Sequence, residues 1–70
     1  IQIKLSPESV STFVKKTQDC DFNVDIAYDH LEIDAKSLLG ILSLDLNKIL
    51  HVKMFGHNEA LEDYLQTLAV

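Results

Sequence analysis

Seventy residues make a small chain, one that hides only about 60% of the surface its unfolded form would expose, so the reading expects one domain spanning 1–70 with an efficient core. Hydrophobic residues make up 47%, against two glycines and one proline, so most of the chain can enter helices and strands. The net charge is −5, and all six basic residues are lysines, spread along the chain. Without arginine's bidentate fork or a basic stripe, nucleic-acid binding is not expected.

Cys20 is the only cysteine, so no internal disulfide is open to it, and a lone thiol suits a reducing compartment. The flanking Asp19 and Asp21 should raise its pKa, which marks a small packing residue rather than a nucleophile. No apolar run nears the roughly 20 residues that span a bilayer, so no membrane association is expected. Ile1 opens without a charged-then-apolar leader, and the reading places the protein in the cytoplasm, with residues upstream of Ile1 left open.

In chain order, Ile1, Ile3 and Leu5 alternate with Gln2 and Lys4, the period of a strand with one wet face. Ser6-Pro7-Glu8 predicts a helix start: a capping serine, proline in the first turn, and an acid at the positive end. Val10, Phe13, Val14 and Thr17 form its apolar stripe, and Lys15 and Lys16 suit its end near Asp19. Period two returns with Phe22, Val24, Ile26 and Tyr28, and again with Leu31, Ile33 and Ala35, around a break at Asp29-His30. This predicts a hairpin of open turn type: Asp29 tolerates the left-handed region, and His30 suits a turn less well than glycine would. Leu38, Leu39 and Leu42 then take helical spacing behind a capping Ser37, with Asp45 to Lys48 as the exit. Leu50, Val52 and Met54 alternate with His51, Lys53 and Phe55 as a fourth strand. Asn58 caps a last helix with a stripe of Ala60, Leu61, Tyr64, Leu65 and Leu68.

The order is β-α-β-β-α-β-α. One-faced strands and striped helices bury best as an antiparallel four-stranded sheet with three helices on one side and water on the other, an α+β open-faced sandwich. No repeats, linkers or low-complexity tracts interrupt it.

The segment Lys36-Ser37-Leu38-Leu39-Gly40-Ile41-Leu42-Ser43-Leu44 resembles the second-helix segment of the histidine phosphocarrier (HPr) family, which runs Lys-Ser, two large apolar residues, Gly, two more, then Ser-Leu. The element order is also that family's, and the likeness covers essentially the whole chain. The resemblance implies an HPr-like fold, no cofactor and no enzyme activity of its own. It implies protein partners: components of the sugar phosphotransferase system, an HPr-type kinase or a transcription regulator.

The family's phosphoacceptor histidine, in the motif Gly-X-His-Ala-Arg-Pro-Ala, falls on Ser6 here, and the arginine falls on Glu8. Imidazole both accepts and releases phosphoryl groups readily, whereas a serine phosphate is inert and Glu8 would repel it. Phosphocarrier activity through that site is therefore not expected. Ser37 does match the serine that a kinase phosphorylates in some family members, and a phosphate there would meet the first free amides of a helix. The plainer alternative is that Ser37 only caps. Lys36, Leu38, Leu39 and Leu42 match the family's partner-docking surface, unless some of these leucines pack inward.

Three histidines, His30, His51 and His57, lack ligand spacing, so no metal site is expected. His57, near the start of the last helix, is an alternative phosphoacceptor alongside Ser6; a solvated turn residue is its plainer role. Glu32 and Asp34 share one side of a strand and read as a solvated face. Three functions stand open: a regulatory or adaptor protein switched at Ser37, a phosphocarrier with an atypical acceptor, and a plain interaction domain.

Overall fold

A computed structural model describes Ile1–Val70. Strands β1 (Gln2–Ile3), β2 (Val24–Tyr28), β3 (Leu31–Asp34) and β4 (Leu50–Met54) form one antiparallel sheet in the order β1-β4-β2-β3. Helices α1 (Val10–Gln18), α2 (Leu38–Leu42) and α3 (Glu59–Leu68) complete the chain, with a 3-10 turn over Pro7–Ser9 ahead of α1. The expected α+β architecture and element order are those observed.

The core lies between the helices and one face of the sheet. Ile3, Val24, Ile26, Leu50 and Val52 are buried from the strands, Val10, Phe13 and Val14 from α1, Ile41 from α2, and Leu61 and Leu65 from α3. The other face carries Gln2, Asp25, Glu32, Asp34, His51 and Lys53, as period two requires. No helix is long and apolar enough to cross a membrane.

Five details depart from the sequence reading. The first strand is shorter than Ile1–Leu5. Pairing with β4 stops at Ile3, and the Lys4 N–H, on the outer edge, donates to the Leu68 carbonyl at 3.1 Å. Ser6 does not cap through its side chain; its Oγ lies 2.9 Å from Ser9 Oγ, and Pro7–Ser9 forms a 3-10 turn in which the Ser9 N–H donates to the Ser6 carbonyl at 2.9 Å. Leu31 is 50% exposed and Ala60 is exposed, because each lies at the rim of its apolar stripe. The short α2 reaches the core through Ile41, with Leu44 buried just beyond, and not through the leucines that carried its helical spacing. Finally, burial is the main cause that raises the Cys20 thiol; Asp19 and Asp21 add to it, and Lys36 works against it.

The hairpin turn follows its residues closely. Asp29 has φ 53° and is the only non-glycine residue with positive φ, so His30 escapes the left-handed region that a type I′ turn would force on it. Lys48 Nζ reaches Asp29 Oδ2 at 3.2 Å and lies 5.7 Å from the Tyr28 ring centroid, while Tyr28 Oη accepts the Asp45 N–H at 3.0 Å. Together these tie the hairpin tip to the loop after α2.

Candidate functional site

Ser37 sits at the N-cap of α2 in extended conformation (φ −96°, ψ 109°), so its side chain turns back over the first helical turn. Its Oγ accepts the Gly40 N–H at 3.1 Å, satisfying one of the free amides at a helix start. Gly40 makes that close approach easy: a Cβ there would lie 3.1 Å from Ser37 Oγ and 3.3 Å from Ile33 Cδ1. The serine is nevertheless exposed, and its own hydroxyl proton is not engaged by a protein acceptor.

The backbone on either side is braced against the end of α1. Gln18 Nε2 donates to the Lys36 carbonyl at 2.9 Å, and Lys36 Nζ donates to the Cys20 carbonyl at 2.9 Å. The Thr17 hydroxyl lies 2.8 Å from the Val14 carbonyl and 2.9 Å from the Ala35 carbonyl. One hydroxyl proton serves both acceptors, so it is shared between them or alternates. Asp34 Oδ1 accepts the Lys36 N–H at 2.9 Å, and the Ser37 N–H goes to the Asp34 carbonyl at 3.1 Å. Ser37 therefore stands on a fixed platform, next to one cation (Lys36) and near one anion (Asp34). Thr17 was visible in the sequence only as a member of the α1 stripe, and Gln18 carried no signal at all.

Leu38, Leu39 and Leu42 are 44%, 81% and 54% exposed. None is taken by the core, so a small apolar surface adjoins Ser37. Lys36 belongs to the same stretch but is half-buried, its ammonium committed to Cys20.

The remaining candidates are not gathered with it. Ser6 is exposed at the 3-10 turn, with Ser9 as its hydroxyl partner. His57 is largely exposed, and its Nδ1 lies 2.7 Å from Glu62 Oε2. That oxygen is covered yet makes no aligned hydrogen bond, so this is a close polar contact and not a well-formed ion pair. His30 and His51 are exposed on the hairpin turn and on β4, and no three metal-ligating side chains converge anywhere.

No protein-family model matches the chain, and no curated protein matches it. The structure is similar to the crystal structure of Crh, the catabolite repression protein of Bacillus subtilis, described as an intertwined dimer with a swapped domain. The TM-score is 0.69 at 21% identity, covering 100% of this chain and 88% of Crh. With its sheet order and its three helices on one face, the chain has the HPr-like fold.

Proposed function

We propose that this chain is a non-catalytic, HPr-like regulatory or adaptor protein that acts by protein contact and is switched by phosphorylation of Ser37. The observation that carries this reading is the pairing of an exposed helix-capping serine with three leucines the core leaves outside. The description of Crh as a catabolite repression protein supports a regulatory role. The partners proposed are phosphotransferase-system components, an HPr-type kinase or a transcription regulator, in the cytoplasm.

In the switching step, Ser37 Oγ would attack the γ-phosphorus of ATP, lose its proton and release ADP. The product carries close to two negative charges where none stood, beside Leu38 and Leu39. Phosphate oxygens would take over the Gly40 amide from Oγ, so the helix start stays capped while the surface becomes negative. A partner that reads apolar surface alone would lose affinity; one bringing a cation beside a leucine-binding pocket would gain it.

Incubation with an HPr-type serine kinase and ATP, followed by intact mass and peptide mapping, tests the switch. One phosphate on Ser37 is expected. Ser37→Asn, which keeps a capping oxygen and removes the hydroxyl, should abolish it. Phosphate elsewhere, or none, counts against the reading.

The contact between His57 and Glu62 favours a second reading, a phosphocarrier that uses an atypical acceptor. The Glu62 carboxylate lies close enough that a turn of the exposed ring would align Nδ1–H with Oε2, which would then orient the ring and leave Nε2 outward as the nucleophile. Exposure to phosphoenolpyruvate and the first enzyme of the phosphotransferase system would then give an acid-labile phosphate on His57. Transfer to Ser6 would give an acid-stable one.

A further inference from the structure

The two edges of the sheet differ. Outside β1, the C-terminal residues close the edge: the Lys4 N–H donates to the Leu68 carbonyl, the Val70 N–H donates to the Gln2 carbonyl, and Ile3 bridges Ala69. Outside β3 there is no strand.

Register fixes which β3 groups face outward. The Ala35 N–H donates to the Val24 carbonyl at 2.8 Å, which makes residues 24 and 35 a hydrogen-bonded pair. Alternation then makes Ile26 with Ile33, and Tyr28 with Leu31, the other bonded pairs. The backbone groups of Glu32 and Asp34 point away from β2. The Asp34 carbonyl is taken by Ser37, which leaves both backbone groups of Glu32 and the N–H of Asp34 as a short free row.

The side chains indicate what would complete that row. Asp34 stands directly across from Asp25, a like-charge pair that costs stability. Lys53, across from Asp25 on the far side, gives its ammonium to Glu32, and no ammonium contacts Asp34. On the opposite face of β3, Leu31 is half-exposed and Ile33 partly buried. A second copy of this chain fits poorly. Antiparallel pairing of β3 with itself about Ile33 sets Glu32 against Asp34, and pairing about Glu32 sets the two glutamates against each other.

We infer that the β3 edge accepts an extended segment of a partner protein as an added strand, with lysine or arginine at the alternate positions beside Glu32 and Asp34 and apolar residues between them, beside Leu31 and Ile33. Main-chain hydrogen bonds supply the docking, and the Asp34 carboxylate, which no ammonium neutralises, selects a basic strand over an acidic one. This inference stands independently of phosphorylation at Ser37.

The test titrates the isotope-labelled full chain with the blocked peptide Lys-Val-Lys-Thr-Lys-Val-Lys, against the same peptide with glutamate in place of lysine, at about 20 mM salt to limit screening. Saturable shifts centred on Leu31–Asp34 are expected with the lysine peptide, with about tenfold slower hydrogen exchange at the Glu32 and Asp34 amides. Asp34→Asn, which keeps the oxygen for the Lys36 N–H, should weaken binding roughly two- to fivefold. The inference is overturned if those amides keep their shifts and exchange rates, if both peptides act alike, if the shifts centre on α2, or if Asp34→Asn binds as tightly as the parent.

Discussion

Gly56 is the most sharply constrained position in the chain. A Cβ added there would lie 2.4 Å from both Cγ and Cδ2 of Phe22 and 3.0 Å from its Cβ, so Gly56→Ala forces the ring to move. The backbone itself would accept alanine, since no glycine has positive φ. The expected cost therefore comes from the ring alone. Overpacking of this kind costs about 1–3 kcal/mol, and the lowered entropy of the unfolded chain returns about 0.4–1 kcal/mol. The net expectation is a loss of about 1–2 kcal/mol, and in a chain of this size each kcal/mol lowers Tm by about 4–8 °C. The informative measurement is a double-mutant cycle by urea denaturation followed by circular dichroism. With Phe22→Ala in place, Gly56→Ala should turn neutral or stabilising by up to about 1 kcal/mol, a coupling of about 2 kcal/mol. An equal penalty in both backgrounds would refute the reasoning.

Thr17→Val, nearly isosteric, should cost about 1–2 kcal/mol in the same assay by leaving the Ala35 carbonyl short of a donor, whereas Thr17→Ser should keep the hydrogen bond. Asn58→Ala removes the side chain that accepts the Leu61 N–H at 2.9 Å and should cost about 1 kcal/mol. Leu39→Asp should leave stability within about 0.5 kcal/mol, given its exposure, while abolishing any partner binding through α2. The pH dependence has a definite sign. Cys20, Tyr64, Lys48 and Lys53 all hold their protons more tightly in the folded state than their ordinary values imply, the first two chiefly by burial and the lysines by hydrogen bonds to Asp29 and Glu32. The unfolded chain then releases protons first as pH rises, so stability should fall from about pH 9 upward. Cys20→Ala should blunt the earliest part of that fall; a urea midpoint that rises between pH 8.5 and 10 would contradict the assignment.

The architecture was legible because two periods divide this sequence cleanly. The alternation of Val24, Ile26 and Tyr28 and the spacing of Val10, Phe13, Val14 and Thr17 each name a face, and those faces fit one layered arrangement. Asn58 and Ser37 were legible as caps for the same local reason. What escaped was set by neighbours distant in sequence. The alternation runs on to Leu5, yet pairing with β4 stops at Ile3, and no local pattern carries that. In α2, apolar residues at nearly every position blur the stripe, so only packing singles out Ile41 as the inward one. The brace beneath Ser37 depends on Gln18 and on a lysine ammonium turned toward Cys20, both of which read as ordinary surface residues in one dimension. The open edge of β3 likewise needs the strand order, which alternation alone does not give.

The central claim is that the surface around Ser37 is a protein-docking site under phosphate control. It is tested most directly by capturing an HPr-binding transcription regulator on immobilised protein before and after treatment with the serine kinase, with Ser37→Asn carried in parallel. A regulator whose retention changes at least about tenfold on treatment, equivalent to about 1.4 kcal/mol, and stays constant for Ser37→Asn is the predicted result. Stoichiometric phosphate on Ser37 with retention unchanged would contradict it.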